Sequence, residues 1–106
     1  MTLEIRLFPA ARARLDEIYA YTAETWGEAQ AERYLRGLSA SFAAIARREL
    51  VWRRIPAEFG HDGWYAHHER HVVYWKLLAD GAVGIVTILH QHMHQLDRFR
   101  EDAGET

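Results

Sequence analysis

The 106-residue sequence lacks cysteine, has a single lysine, and contains no apolar run long enough to span a membrane. Without cysteine, disulfide bonds, thiolate metal sites and a cysteine nucleophile are excluded. A membrane-spanning helix needs about 18–20 consecutive apolar residues, and the N-terminus lacks the basic segment and long apolar stretch of a secretory signal. We therefore expect one cytoplasmic domain, residues 1–106, with no membrane association.

The charge balance also lacks the basic excess of proteins that coat nucleic acid. The formal net charge is −2, whereas binding by bulk electrostatics requires many Lys and Arg contacts to phosphate. Twelve of the thirteen basic residues are arginine, and Lys76 is the exception. We expect no strong direct nucleic-acid binding, although a local basic patch remains open.

The first half of the chain is patterned as one strand and two helices. Alternating apolar residues predict a strand over residues 2–8, and Pro9 suits the first turn of the following helix. Apolar residues at steps of three and four predict helices over about 10–26 and 28–48. Gly27 is the only residue between them, so the two helices should fold back as a hairpin.

The second half is patterned as strands. β-branched and aromatic residues predict strands at about 64–68, 70–78 and 83–90, the last two joined by a two-residue turn at Asp80-Gly81. Residues 51–63 should form a surface loop with room for a short strand, and the polar tail 95–106 a frayed helical turn. The order β-α-α-β-β-β predicts an α+β fold: a helical hairpin packed on one face of a small, mostly antiparallel sheet.

All seven histidines lie between His61 and His94. His90, His92 and His94 occupy alternate positions, which a continuing strand would place on one face about 7 Å apart. Three imidazoles on one face can bind a transition metal, and a single one can act as a general acid or base. A polar strand end with no chemistry explains the same spacing, and the sequence leaves all three interpretations open.

Other candidate sites are weaker. Arg53 and Arg54 in the loop, together with Arg70, can form a small anion site or be ordinary solvated arginines. The chain has no glycine-rich phosphate loop, no nucleophile elbow and no zinc-protease motif. We therefore expect no cofactor and no metal.

A further pattern runs through both halves of the chain. It consists of Ala11, Leu15, Ile18, Tyr21, Trp26, Gly27, Ala31, Tyr34, Leu38, Phe42 and Ile45 on the helices, and of His71, Val73, Trp75, Lys76, Asp80, Gly81, Ile85, Ile88, Leu89 and His90 on the strands. In this order and at this chain length, these residues resemble the ParE branch of the RelE/ParE toxin superfamily over roughly residues 3–97.

The resemblance implies the toxin of a bacterial type II toxin–antitoxin system. ParE-like members are thought to inhibit growth by binding DNA gyrase, which needs no catalytic residue in the toxin. A small ParD-like antitoxin, whose disordered C-terminal part folds onto the toxin, would neutralise it in a toxin–antitoxin hetero-oligomer. On this interpretation an apolar groove beside the helical hairpin receives the antitoxin, and Tyr19, Tyr34 and Trp52 are candidate anchors.

Two alternatives follow from the same resemblance. RelE-like members cut messenger RNA in the ribosome with Lys, Arg and Tyr side chains, but Val72 stands where that branch carries an arginine in its middle strand. A ribonuclease variant would rely on Arg70, His90 and His92. The ParE branch often carries a basic residue in its last strand, and here that position is Thr87. The other alternative is a scaffold that binds antitoxin but has lost toxicity.

Overall fold

A computed structural model of the chain describes residues 2–104. The strands are β1 (Ile5–Leu7), β2 (Arg53–Arg54), β3 (Trp64–His68), β4 (His71–Leu77) and β5 (Val83–His90). The helices are α1 (Pro9–Trp26), α2 (Glu28–Ala46) and α3 (Gln95–Gly104), with one 3-10 turn at Ala57–Phe59. In this described part of the chain, no helix is long and apolar enough to cross a membrane.

The five strands form one sheet in the order β1-β5-β4-β3-β2. β1 runs parallel to β5, pairing Ile5 with Val83 and Leu7 with Ile85, and the other three pairs are antiparallel. The predicted α+β fold, with a mostly antiparallel sheet, is confirmed.

The helical hairpin covers one face of this sheet. Pro9 occupies the first turn of α1, and Gly27, with φ +97°, separates the helices in a conformation that glycine adopts without steric cost. The core on this face brings together Ala11, Ile18, Leu38, Phe42, Ile45, Ala66, Val73, Trp75, Val83, Ile85 and Ile88. The helices therefore bury the apolar stripes that their spacing predicted.

The opposite face of the sheet is covered by α3, which corrects the prediction of a frayed tail. Residues 95–104 form a ten-residue helix with Phe99 and Ala103 buried. Phe99 packs against Tyr74, with ring centroids 5.0 Å apart. The tail looked unstructured because its few apolar residues are spread among charged ones; they gain a partner only when the sheet presents its second face.

An irregularity in β5 sets which side chains meet α3. Tyr74 pairs with Thr87 but Trp75 pairs with Ile85, so Val86 is an extra residue on β5, as in a β-bulge. Val86 packs in the apolar cluster of Phe99, and Thr87 donates a hydrogen bond to Asp102 of α3 at 2.7 Å. The bulge therefore turns two consecutive residues toward α3.

The connection between β4 and β5 is a hairpin, as predicted, but its turn is longer than two residues. Leu78 and Ala82 are joined by a backbone hydrogen bond of 2.8 Å, with residues 79–81 between them. Gly81 has φ +88°, and the Asp80 carboxylate accepts a hydrogen bond from the backbone of Ala82 at 3.1 Å. This is the three-residue loop that ends in a left-handed glycine.

Candidate functional site

A cleft of about 810 Å³ opens between the helical hairpin and the ends of β4 and β5. α1 contributes residues from one face, α2 contributes Gln30 and Tyr34, and the sheet contributes the β3–β4 turn, β4 and β5. The cleft is lined by Arg14, Glu17, Ile18, Tyr21, Thr22, Trp26, Gln30, Tyr34, Glu69, Arg70, His71, Ile88, His90 and Met93.

The rim of this cleft is apolar and exposed. Tyr21 is 68% exposed, Trp26 63% and Met93 36%, while Ile18 and Ile88 form a buried floor. Half of the exposed large apolar side chains of residues 2–104 therefore surround one concavity. Clustered apolar exposure beside a cleft marks an interaction surface more often than scattered exposure does.

The charged side chains of the cleft are partly tied to neighbours. Arg14 donates two hydrogen bonds to Asp102 of α3 and one to Glu17, and its hydrogen bonding to Asp102 raises the pKa of Arg14. Glu69 and Arg70 form the tight β3–β4 turn, where Glu69 has φ +50°. Both point toward solvent from an exposed turn, so Arg70 is the more available cation of the cleft.

A tyrosine–histidine pair closes the inner end of the cleft. Tyr34 Oη lies 2.6 Å from His71 Nδ1, and only 3.4 Å separates the same hydroxyl from the carbonyl of His68. Burial, followed by the charges of neighbouring histidines and Arg70, lowers the pKa of His71 to about 4. His71 is therefore neutral at pH 7, and its Nδ1 is hydrogen-bonded to the Tyr34 hydroxyl, which also lies within reach of the His68 carbonyl.

The three alternate histidines do not share a face, because the strand ends at His90. The chain turns there, and the backbone N–H of His92 donates to His90 Nδ1 at 3.1 Å. His94 lies on the surface beside Asp97 of α3, with Nδ1 3.2 Å from Oδ2. Among residues 2–104, no group of three or more His, Asp or Glu side chains is placed to hold a metal ion.

His90 itself faces the cleft. Its ring lies 5.2 Å from that of His71 and 5.1 Å from that of His92, centroid to centroid. Burial, the neighbouring His92 and Arg70 lower the pKa of His90. The fold thus brings together Arg70, His90 and His92, the three residues of the ribonuclease alternative.

The three predicted aromatic anchors lie in different places. Tyr34 lines the cleft, but it is half-buried and hydrogen-bonded. Tyr19 is on α1 outside the cleft lining. Trp52 packs against the rings of Trp64 and Trp75 and donates to the carbonyl of Ile45 at 3.3 Å. They do not form one groove, because Trp52 belongs to the far end of the hairpin and is partly core.

The exposed aromatics of the cleft were missed by the sequence reasoning. Trp26 lies in line with Ile18 and Thr22 on α1, a spacing that favours a core position, although it occupies the last helical position before Gly27. Its position at the end of the helix indicates exposure, because an apolar stripe is buried only where the partner sheet extends beneath it.

The three arginines of the predicted anion site are also separated. Arg53 and Arg54 form β2 and pair with Tyr65 and Trp64 at the start of β3, whereas Arg70 follows the end of β3. At about 3.3 Å per residue, this strand places them more than 10 Å apart. The guanidinium of Arg54 instead lies 5.7 Å from the Trp64 ring centre.

Comparisons with known proteins cover most of the chain, including the residues that line the cleft. A family model, described as the ParE toxin of type II toxin–antitoxin system, parDE, matches residues 5–95. Toxin ParE1 of Mycobacterium tuberculosis (strain CDC 1551 / Oshkosh) is 31% identical over 93 residues, covering 88% of this chain and 94% of that protein. Toxin ParE1 of Caulobacter vibrioides is 33% identical over 90 residues, covering 84% and 90%.

One solved structure resembles the fold. The chain from "Chromosomal ParDE TA system from P. aeruginosa" superimposes with a TM-score of 0.68 at 14% sequence identity, covering 84% of this chain and 96% of that one. At this identity the likeness concerns the fold alone. The family match ends at Gln95, so most of α3 lies beyond it.

Proposed function

The chain belongs to the ParE toxin family of type II toxin–antitoxin systems, and from this premise we propose how it acts. It binds a protein target in the cytoplasm, DNA gyrase, and inhibits growth without chemistry of its own. A small ParD-like antitoxin neutralises it by folding onto the cleft between the helical hairpin and the sheet.

The observation that carries this proposal is the exposed apolar rim of the cleft. Tyr21, Trp26 and Met93 stand around a buried floor, an arrangement that suits the anchor residues of a protein partner. A disordered segment that folds on binding needs such a preformed surface, because the burial of apolar groups must exceed the cost of ordering the segment.

Binding rather than catalysis is favoured by two positions on the sheet. Val72 is buried beneath α3, in the apolar cluster that contains Phe99, and it cannot stabilise charge on a phosphate. Thr87 is also buried, and its hydroxyl is occupied by Asp102. The two positions at which the toxin branches carry basic residues, Val72 and Thr87, are therefore uncharged and packed on the α3 face of this sheet.

The antitoxin assignment is tested by co-purification and affinity. The protein is expressed with the product of a short upstream reading frame, and the dissociation constant is measured by calorimetry. Replacing Tyr21, Trp26 and Met93 by alanine should weaken binding by about 100-fold, since central anchors contribute about 2 kcal/mol or more each and are not additive. Val51→Ala is the matched control, because Val51 is equally exposed but lies outside the cleft. Wild-type affinity of the triple variant would remove the cleft as the antitoxin surface.

The target is tested with purified gyrase. Excess toxin should inhibit supercoiling of plasmid DNA, and addition of the antitoxin should restore it. Full supercoiling at excess toxin would contradict the gyrase target. If the antitoxin binds tightly and expression of the toxin alone leaves growth unchanged, the chain is an antitoxin-binding scaffold that has lost toxicity.

A second candidate function, messenger RNA cleavage in the ribosome, is favoured by one observation. Arg70 and His90 line the same cleft and the ring of His92 contacts His90, so a cation and two imidazoles are available to a phosphodiester. Toe-printing on translating ribosomes distinguishes this function from gyrase inhibition. Growth inhibition that persists in the His90→Ala, His92→Ala variant would exclude it.

A further inference from the structure

The inner wall of the cleft is a chain of rings that carry titratable protons. Tyr34 contacts His71 at 2.6 Å, His71 contacts His90 with ring centroids 5.2 Å apart, and His90 contacts His92 at 5.1 Å. Tyr34 also packs against His68, with centroids 5.6 Å apart. Four imidazoles therefore gather at one end of the cleft, with Met93 of the apolar rim hydrogen-bonded through its backbone to the carbonyl of His90.

We propose that this histidine cluster makes occupation of the cleft pH-dependent, so that the antitoxin is held near neutral pH and released on mild acidification. The inference rests on the proposed function, because it concerns the partner that the cleft receives. It adds a regulatory input that is independent of antitoxin synthesis and degradation.

The physical reason is the cost of burying charge. A partner that covers Tyr21, Trp26 and Met93 also removes water from the rings of His90 and His71, which line the same cleft. A neutral imidazole tolerates this, whereas an imidazolium loses hydration that an apolar partner does not replace. Histidine changes charge between about pH 5 and 8. Acidification therefore adds the cost of burying an imidazolium to the binding free energy and weakens the affinity for the partner.

Charged and titratable groups surround the cluster, and the positive ones move protonation of His71 and His90 to lower pH. They come from every element that packs against it: Arg14, Glu17 and Tyr21 from α1, Tyr34 from α2, His68, Glu69 and Arg70 from the end of β3 and its turn, and His92 after β5. Arg70 is a fixed positive charge that opposes protonation of both His71 and His90.

The two carboxylates at the cleft do little to offset this effect. Glu17 pairs with Arg14 at 3.2 Å. Glu69 Oε2 lies 3.4 Å from His68 Nε2, so its carboxylate faces His68 rather than His90. The test therefore uses His90 and His92 and leaves His68 in place.

His71 acts as the anchor of the cluster. Its Nδ1 is hydrogen-bonded to the hydroxyl of Tyr34, and burial lowers its pKa to about 4. At pH 5.5 it remains neutral in the free protein. The test therefore replaces the outer members of the cluster, His90 and His92, and keeps His71.

The experiment compares affinities at two pH values within each variant. The antitoxin obtained by co-purification is titrated into the toxin at pH 7.5 and pH 5.5, for wild type and for the His90→Gln, His92→Gln double variant. Proton linkage limits the change to about tenfold per pH unit for each proton excluded. We expect wild-type affinity to fall roughly tenfold or more, and that of the double variant by less than about threefold.

His61→Gln is the matched control, since His61 is exposed and contacts Phe99 on the opposite face of the sheet; it should keep the wild-type response. Equal affinities at both pH values, tighter binding at pH 5.5, or an undiminished fall in the double variant would each overturn the inference. Absence of binding at pH 7.5 would instead count against the proposed function, so the two failures are distinguishable.

Discussion

The guanidinium of Arg14 donates two hydrogen bonds to the carboxylate of Asp102, from Nε at 3.0 Å and from Nη2 at 3.2 Å. Thr87 of β5 donates to the same carboxylate at 2.7 Å. Arg14 belongs to the helical hairpin and Asp102 to α3, so one carboxylate joins elements that pack on opposite faces of the sheet. The pair is also shielded, because the two side chains are only 15% and 13% exposed.

Asp102→Asn keeps the size of this side chain and removes its charge. We expect the free energy of unfolding to fall by about 1–3 kcal/mol, because a partly buried guanidinium loses its counter-charge. Urea denaturation measures the change, and a double-mutant cycle with Arg14→Gln gives the coupling energy. Glu101→Gln is the control, since its exposed pair with Arg98 should contribute less than about 0.5 kcal/mol. Additive effects in the cycle would show that the pair is uncoupled.

Phe99→Ala tests whether α3 is part of the core. Truncating a buried phenylalanine typically costs about 3–5 kcal/mol, and Phe99 is buried among Phe59, Tyr74 and neighbouring apolar residues. Hydrogen exchange should show protected amides across residues 95–104 in the wild type and faster exchange in the variant. Arg100→Ala, on the exposed side of the same helix, should leave stability within about 0.5 kcal/mol. A variant as stable as wild type would mean that the tail is frayed.

The burial of His71 predicts how stability depends on pH. Its pKa is about 4 in the folded protein against an ordinary value of 6.5, so the unfolded chain binds a proton more readily between these values. Its contribution to the unfolding free energy is full above pH 6.5 and is lost as the pH falls from 6.5 to 4. The slope for one proton is at most about 1.4 kcal/mol per pH unit, reduced by solvent screening.

Denaturation at several pH values in this window checks that slope. His71→Gln should flatten the pH dependence, whereas His67→Gln, at an exposed position of β3, should leave it unchanged. The same slope in wild type and His71→Gln would assign the pH dependence to other groups.

Gly63→Ala probes a close backbone contact. A Cβ at Gly63 would lie 2.6 Å from the carbonyl oxygen of Trp75, a clash that the backbone must relieve by moving. We expect a loss of about 1–3 kcal/mol, as for overpacked cores. At Gly104 an added Cβ meets no atom within 4 Å, so Gly104→Ala should be neutral or slightly stabilising. Thermal denaturation of both variants compares them directly, and equal melting temperatures would contradict the contact.

The elements that the sequence predicts well are those whose signal is local. The helical hairpin follows from apolar spacing on either side of Gly27, and β3, β4 and β5 follow from β-branched and aromatic runs. α3 has a weak local signal, since Leu96, Phe99 and Ala103 stand among charged residues. The helix is stabilised by packing on the second face of the sheet. This tertiary contact cannot be predicted from the ten residues of the helix themselves.

The placement of the three alternate histidines also depends on contacts that their spacing does not show. Alternate spacing describes a strand but does not say where the strand ends. The end is set by Gln95, whose side-chain Nε2 donates to the carbonyl of His90 at 2.8 Å and whose Oε1 accepts from Tyr74 at 2.7 Å. The Tyr74–Gln95 contact joins residues 21 positions apart, and the ring contact between His71 and His90 depends on the register of two strands.

The parallel pairing of β1 with β5 has a consequence for synthesis. β1 precedes its partner, Val83–Ile85, by most of the length of the domain, so it leaves the ribosome well before that partner is made. The sheet therefore cannot close on a partial chain, and α3, which shields its second face, is made later still. Contacts between segments so distant in sequence form slowly, so this sheet should reach its native form only once β5 and α3 have left the ribosome.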